Sequence, residues 1–585
     1  MGFMIAYTRN DEGGFDFHCN LEERTCPSPI TYRGDGRGLI LGEFFGISAS
    51  QLFESNWEND PIVLNDSCSA ICVVSFDAEN CYLASDNTGR ELLYYYHSPR
   101  QFVVSDDFWA IVKLVNPSFD DIDGDVVREM ISTGCGVPAD HSLPVKNMFW
   151  LAPNTFIKFH AASGDISISQ YDQIQRSGEV TDIDDAVEAM DAAMDYMVDS
   201  LLGMFPEKAV GLGLSGGLDS RIALHYLKKH DADFRCFNIC TPRPHKVFLA
   251  HSVKKSRALA RAAGVSCEEV RWLPGRIGEK KRRLLEMQPV GTGGHYTNLY
   301  KFEDQGLPDF DYLLTAGQGI GPYIVGVSAQ INSDSMTRDD LISWGLHLSH
   351  ASAQPYSFTE HSVRKQLAKN GLSHIDTERG PQSELWDEIA DENAHLRVKS
   401  KVTAFIDADL EKGLRPADIT LDFRTSTLGA IGRNGAYESL LSSYRNFTIY
   451  TPFLVKEGLR WDIPLVEERR VLKELIKRKI PEFASVGEEE VGSVDSGGRL
   501  GTLLNKLEFV ARGSGIMAEE WYRNDPVVKA SFMEDFRNDC RWFYELIPAA
   551  RDYEGVWKMS PARKNSIWEM KRLVDCLERS DYRDF

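Results

Sequence analysis

The first third of the chain alternates short apolar runs with turn residues: "GFMIAYT", "GLILGEFFG", "SAICVVSF", "CYLASD", "LLYYYHS", "FVVSDD" and the longer "MFWLAPNTFIKFHAASGDISISQYD". Runs of about four to eight residues rich in β-branched and aromatic side chains, punctuated by Pro, Gly, Asn and Asp, predict strands. A series of them with little helical text between predicts a two-sheet sandwich, ending near Tyr171.

The period then changes. "TDIDDAVEAMDAAMDYMVDSLLGM" puts Val187, Met190, Met194, Met197 and Leu201 on one broad helical face, with Thr181 and Asp182 as caps. Beyond it, strand text and helix text take turns. "AVGLGLS" leads to "SRIALHYLKKH", "FRCFNIC" to "SVKKSRALARAAG", and "EEVRWL" to a basic helical stretch, while "DYLLTAG" reads as a further strand. Alternation of this kind predicts a parallel, doubly wound sheet with helices on both faces. The last stretch carries "LGTLLNKLEFVARG", "DPVVKASFMEDFRNDCRWFYELI" and "NSIWEMKRLVDCLERSD", helical in period and expected to pack against this second unit. The predicted class is α/β: a two-sheet sandwich over 1–172, a doubly wound parallel-sheet unit over 180–481 and a helical extension over 482–585.

Composition narrows the function. A chain of 585 residues is too long for one ordinary core. With 65 Lys and Arg against 87 Asp and Glu, the net charge of −22 repels phosphate backbones, which speaks against nucleic acid and anionic membranes as partners. The 11 cysteines are scattered, mostly in apolar runs, as reduced core thiols of a cytoplasmic protein would be. The pairs Cys68/Cys72 and Cys236/Cys240 sit in strand text and read as core, not zinc ligands. "MGFMIAYTRNDEGG" lacks a signal-peptide pattern, and no run approaches the roughly 18 apolar residues of a membrane span.

One segment carries chemistry. In "VGLGLSGGLDSRIALHYL", Ser215 to Ser220 form a small polar turn between an apolar strand and an apolar helix. In a parallel sheet that is where ligands bind. Gly216 and Gly217 let main-chain amides approach an anion, Ser215 and Ser220 offer hydroxyl donors, and the helix N-terminus adds partial positive charge. The turn lacks the lysine and spacing of a Walker loop. An acid beside phosphates needs an intervening cation, so Asp219 is the expected magnesium ligand. The structural alternative is a tight strand-to-helix turn with Asp219 as its cap.

"LSGGLDS" resembles the pyrophosphate-binding loop of the N-type ATP pyrophosphatases, and the text around it is similar to the asparagine synthetase family. The resemblance extends to the sandwich. "ASDNTGRELLYYYHSPRQFVVSDDFWAIVKL" is similar to the class II amidotransferase stretch "DRxGxxPLYY…FASExxAL", and "FWLAPNTFIKF" to its "LPPGxxL" strand. "YTPFLVKEGLRWDIPLVEERRVLKELIKRKIPEF" is similar to the family's "PFLD" segment. The resemblance spans roughly Met1 to Phe483. It implies an amidotransferase-like first unit, ATP and Mg2+ as cofactors, and nucleotide contacts from Leu214, Ser215, Gly216, Gly217, Leu218, Asp219, Ser220 and the Ile239 main chain. Gly317, Gln318 and Gly319 in "TAGQGIGPY" correspond to the family's second loop, "SGEGxDE". Asp219 and Gln318 are the implied catalytic pair.

Three departures from the family shape the expectation. The family's glutaminase nucleophile is a processed N-terminal cysteine; here position 2 is Gly2, and Cys19 lies past the first strand, so glutamine hydrolysis is expected to be absent. Members without that cysteine, such as β-lactam synthetase and lasso-peptide cyclases, join an amine to an activated carboxylate. In the second loop Gln318 replaces Glu, and Gly321 and Pro322 replace Asp and Glu. The family's lysine element reads "EFASVGEEEVGS", with Glu489 near the lysine position and Lys473, Lys477 and Lys479 as substitutes or as a solvated face. The expected activity is AMP-forming amide-bond synthesis through an acyl-adenylate, on a small-molecule or peptide carboxylate. A homodimer or a biosynthetic partner protein is compatible with it. The alternative is a degenerate, non-catalytic nucleotide- or partner-binding relative. His295, Tyr296 and Tyr300 are candidates for lining the acyl pocket.

Overall fold

A computed structural model describes residues 2–22, 30–43, 47–67, 70–89, 91–132, 140–240, 248–271, 309–315, 336–351, 384–389, 392–428, 445–448, 452–466, 469–486, 526–537, 540–559 and 561–580. Gln318, Gly317, Gly319, Glu489, His295, Tyr296 and Tyr300 lie outside these residues, as do Gly321 and Pro322.

Two antiparallel sheets come first. β1 (Gly2–Arg9), β2 (Phe15–Glu22), β7 (Tyr94–Ser98), β8 (Gln101–Ser105) and β9 (Met148–Trp150) form one, in the order β2-β1-β8-β7-β9. β3 (Ile30–Tyr32), β4 (Gly38–Glu43), β5 (Ala70–Phe76), β6 (Asn80–Ser85), β10 (Thr155–His160) and β11 (Asp165–Gln170) form the other, in the order β11-β10-β6-β5-β4-β3. Strand alternation sorts the side chains into layers. Phe3, Ile5 and Tyr7 of β1 meet Leu39, Leu41, Val74, Leu83 and Phe159 between the sheets. The opposite parity, Ile40, Ile71, Val73 and Ala84, packs outward against Leu52 of α1 (Ala49–Glu54) and Leu64 of α2 (Val63–Asp66). On the far side, Ala6, Tyr94 and Val103 pack against α3 (Phe108–Val115) and α4 (Gly124–Ser132). The result is a four-layer αββα arrangement. β2, β3 and these four helices are additions to the strands legible in the sequence.

The C-terminal helices depart from expectation. Phe532, Phe536, Phe543, Trp568 and Leu577, from helices Pro526–Arg537, Arg541–Leu546 and Pro561–Arg579, share one core with Val126, Val127, Met130 and Ile131 of α4. Arg128 of α4 also donates to the Leu546 carbonyl. These described helices therefore pack on α4, outside the first sheet, and not on the parallel sheet, while the predicted helix over 500–513 lies outside the described residues. Amphipathic periodicity shows that a face is buried but does not name its partner.

α5 (Ile183–Met204) starts at Asp182, whose carboxylate accepts from the Asp184 amide at 2.6 Å, and it buries the predicted face Val187, Met190, Met194, Met197 and Leu201. A five-stranded parallel sheet follows: β12 (Val210–Gly213), β13 (Phe234–Cys240), β14 (Cys267–Arg271), β15 (Tyr312–Thr315) and β16 (Arg445–Thr448), in the order β14-β13-β12-β15-β16. Between the strands run α6 (Leu218–Lys229) and α7 (Phe248–Ala263). Counted along the chain, the strands lie 3-2-1-4-5, so the winding reverses beside β12. One face of β12 buries Val210, Leu212 and Leu214 beneath α5, α6 and helix Arg470–Lys479. On its other face Gly211 leaves room for Phe310, whose ring stacks on Phe237 at 5.8 Å.

The segment from β11 to α5 is tied down. Arg176 donates through its amide to Asp418 at 3.0 Å and through its guanidinium to the Gly458 carbonyl at 2.5 Å. A second tie joins α4 to helix Glu392–Glu411, where the buried Glu129 receives Arg397 and Lys401. No helix among the described residues is long and apolar enough to cross a membrane.

Candidate functional site

The Ser215–Ser220 turn leaves the sheet where its winding reverses. Leu214 carries the last bond of β12, its amide donating to the Phe237 carbonyl at 2.8 Å. The Leu214 carbonyl takes the side-chain amide of Asn238 at 2.7 Å, which fastens the start of the turn to β13. The Ser215 hydroxyl then accepts from the Gly217 amide at 3.0 Å. α6 begins at Gly217, an extended N-cap with no side-chain hydrogen bond. Asp219 therefore lies inside the first turn of α6 and is not its N-cap, against the structural alternative. Its charge complements the helix N-terminus, as Lys228 and Lys229 complement the other end.

The serines differ. Ser215 is half-buried, whereas Ser220 is 2% exposed, with its hydroxyl 3.2 Å from the carbonyl of Ser215 and 3.4 Å from that of Gly217. The two hydroxyls are 3.2 Å apart. Ser220 thus stiffens the turn from within, where the sequence suggested an open donor. The Leu214 and Leu218 side chains are buried in the core under the sheet, which leaves their main-chain groups for any ligand. Ile239 is the penultimate residue of β13, in register with Val270.

Arg221 is the residue that sequence reading missed. It follows the turn on α6, is fully buried, and donates to four carbonyls. Nη2 reaches Gly216 at 2.8 Å and Nε reaches Gly217 at 3.2 Å; Nη1 reaches Phe483 at 3.1 Å and Val486 at 2.5 Å. The available signal was a charge directly before the apolar run Ile222–Leu224.

Magnesium fits only in one way. Among the described residues no three His, Cys, Asp or Glu side chains converge. Mg2+ commonly takes one or two carboxylates and fills its shell with phosphate oxygens and water. Among the described residues Asp219 offers one carboxylate, which suits an ion that arrives with a nucleotide.

The lysines considered as substitutes are placed elsewhere. Lys477 pairs with Glu474 at 2.8 Å on its own helix. Lys479 pairs with Glu188 and Asp191 of α5, and Asp191 takes the Tyr226 hydroxyl at 2.5 Å. Tyr226 is two helical turns beyond Asp219, about 10 Å along α6. Lys473 is half-buried on the same helix.

In the first unit, the three described cysteines are poor nucleophile candidates. Cys19 sits mid-strand on β2 opposite Ile5, exposed and away from the start of β1 where the family's nucleophile stands. Cys72 and Cys81 are buried, their thiols pushed up by burial and then by Asp86 and Asp77 respectively. A nucleophilic thiol needs the opposite shift. Cys236 is likewise a free, buried core thiol.

No protein-family model and no curated protein matches the chain. Among solved structures it is similar to glutamine phosphoribosylpyrophosphate amidotransferase from B. subtilis complexed with ADP and GMP, at 11% identity over 54% of this chain and 68% of that one, with a TM-score of 0.16. It is also similar to the allosteric regulatory enzyme of purine biosynthesis, at 14% identity over 49% and 71%, again with a TM-score of 0.16. Likenesses this weak carry no inference about this chain.

Proposed function

We propose that this chain is an ATP-dependent, AMP-forming amide-bond synthetase of the asparagine-synthetase type that lacks glutaminase activity of its own. The observation that carries this reading is the Ser215–Ser220 turn, set at the winding reversal of a 3-2-1-4-5 parallel sheet and opening a helix whose N-cap offers no side chain. Helix amides not taken by a cap suit an anion, and the reversal point is the cleft of such sheets.

In this reading the turn and the first amides of α6 hold the triphosphate, and the Ile239 main chain meets the base. Asp219 holds the nucleotide's magnesium, which screens the phosphate charge when bound. A substrate carboxylate attacks the α-phosphorus, pyrophosphate departs, and an amine then displaces AMP to leave an amide. Binding both partners in one site converts a bimolecular step into a local one, worth several kcal/mol. The buried, raised thiols of Cys72 and Cys81 fit a scaffold with no glutaminase chemistry.

A second reading, nucleotide binding without catalysis, draws on the ion-paired Lys477 and Lys479. Two measurements separate them: calorimetry with Mg·ATP, and pyrophosphate release across a panel of carboxylates and amines. Binding with release supports the synthetase, and binding without release supports the second reading. Absence of Mg·ATP binding overturns both.

A further inference from the structure

We infer that Arg221 is a positioning residue that sets the main-chain orientation of the Ser215–Ser220 turn and ties that turn to the segment Phe483–Val486. The inference deepens the proposed function and rests on it.

In a trans peptide the C=O and N–H point in opposite directions. Nε of Arg221 holds the Gly217 carbonyl at 3.2 Å, so the amide of Leu218, in the same peptide plane, is directed away from the buried guanidinium. Nη2 holds the Gly216 carbonyl at 2.8 Å, which directs the Gly217 amide to the other side, where it meets the Ser215 hydroxyl at 3.0 Å. Without these donors the Gly216 carbonyl loses its buried partner and the Gly217 carbonyl keeps only its helical bond and the Ser220 hydroxyl at 3.4 Å, and glycine itself imposes little conformational preference. The turn would then meet an anion with carbonyls as readily as with amides.

The same guanidinium reaches outside the turn. Nη1 donates to the carbonyls of Phe483 and Val486, at the end of helix Pro481–Ala484 and just beyond it. One planar fork thus joins residues more than 260 positions apart in sequence. Lysine cannot reproduce this, since a single ammonium has no fixed fork. The buried cation also lies directly behind the turn, adding a field that favours an anion in front.

The test compares ligands with and without phosphates. Mg·ATP and adenosine are titrated calorimetrically against the wild-type chain, Arg221→Met and Arg221→Lys, with circular dichroism and thermal melts on all three. Arg221→Met is expected to lose about ten- to a hundredfold in Mg·ATP affinity, the range for charged hydrogen bonds, with adenosine affinity unchanged. Arg221→Lys, which keeps the charge, is expected to fall between and serves where Arg221→Met does not fold. Wild-type Mg·ATP binding that both variants retain overturns the assignment alone. So does an equal loss for adenosine, the mark of a merely structural arginine. No Mg·ATP binding by the wild-type chain overturns the nucleotide reading, and the assignment with it.

Discussion

Lys401 places its ammonium 2.6 Å from Oε2 of Glu129, a carboxylate only 2% exposed, while Arg397 approaches Oε1 at 3.0 Å. The pair staples helix Glu392–Glu411 to α4 with a charge that water cannot reach. Glu129→Gln keeps the shape but removes the buried charge, leaving Lys401 with Asp140 and Arg397 with Asp125, so urea unfolding should show a loss of about 2–3 kcal/mol. Adding Lys401→Met should recover part of it, because the excess charge is then reduced. A Gln variant as stable as the wild type would show that the staple contributes nothing.

Trp568, 1% exposed, packs edge-on to Phe532 at 5.2 Å in the core shared by the last helices and α4. Trp568→Ala is expected to cost about 3–5 kcal/mol. Hydrogen exchange should rise first in Gly124–Ser132, with the strand and helix around Ser215–Ser220 unaffected. Loosening around the parallel sheet instead would contradict the shared core.

A Cβ added at Gly211 would lie 2.7 Å from the Phe310 ring. Gly211→Ala should destabilise by about 1–3 kcal/mol through overpacking, and Phe310→Leu in the same chain should relieve it. Thermal melts of the single and double variants decide this.

Asp219→Ala should remove magnesium-dependent pyrophosphate release, a fall of about a hundredfold or more. It should leave the far-ultraviolet spectrum intact, because the acid's contribution to the helix terminus is about 0.3–1 kcal/mol. Release at the wild-type rate would exclude Asp219 from the mechanism.

His225 of α6 is lowered from its ordinary value of 6.5, chiefly by burial, with Glu482 opposing at 4.0 Å. The folded state therefore binds fewer protons on this ring than the unfolded chain does. Stability is greatest above 6.5 and falls as pH drops from there toward the folded value. His225→Gln should flatten that part of the stability curve; a difference curve with no pH dependence between about 7.5 and 5.5 would refute the assignment.

Much of the site was legible because it is local. "LGLSGGLDS" holds strand, turn and helix start within a few residues, and Val187 to Leu201 show their buried face by spacing alone. Arg221 was not legible, since its purpose depends on carbonyls at 483 and 486 that only the fold brings near. β16 hid for a similar reason: "RNFT" is short and polar, and becomes a strand by pairing with β15. The destination of the C-terminal helices was lost because an apolar stripe fits any apolar face.

That destination has a consequence for biosynthesis. The first sheet and α4 are complete once β9 leaves the ribosome, but the helices that pack on α4, Pro526–Arg579, are translated only after the whole parallel sheet. At roughly 5–20 residues per second this is a wait on the order of tens of seconds. Through that interval a newborn chain displays Val126, Met130 and their neighbours, a surface suited to a holding chaperone. A product that stops short of Pro526 has no means of concealing Val126 and Met130.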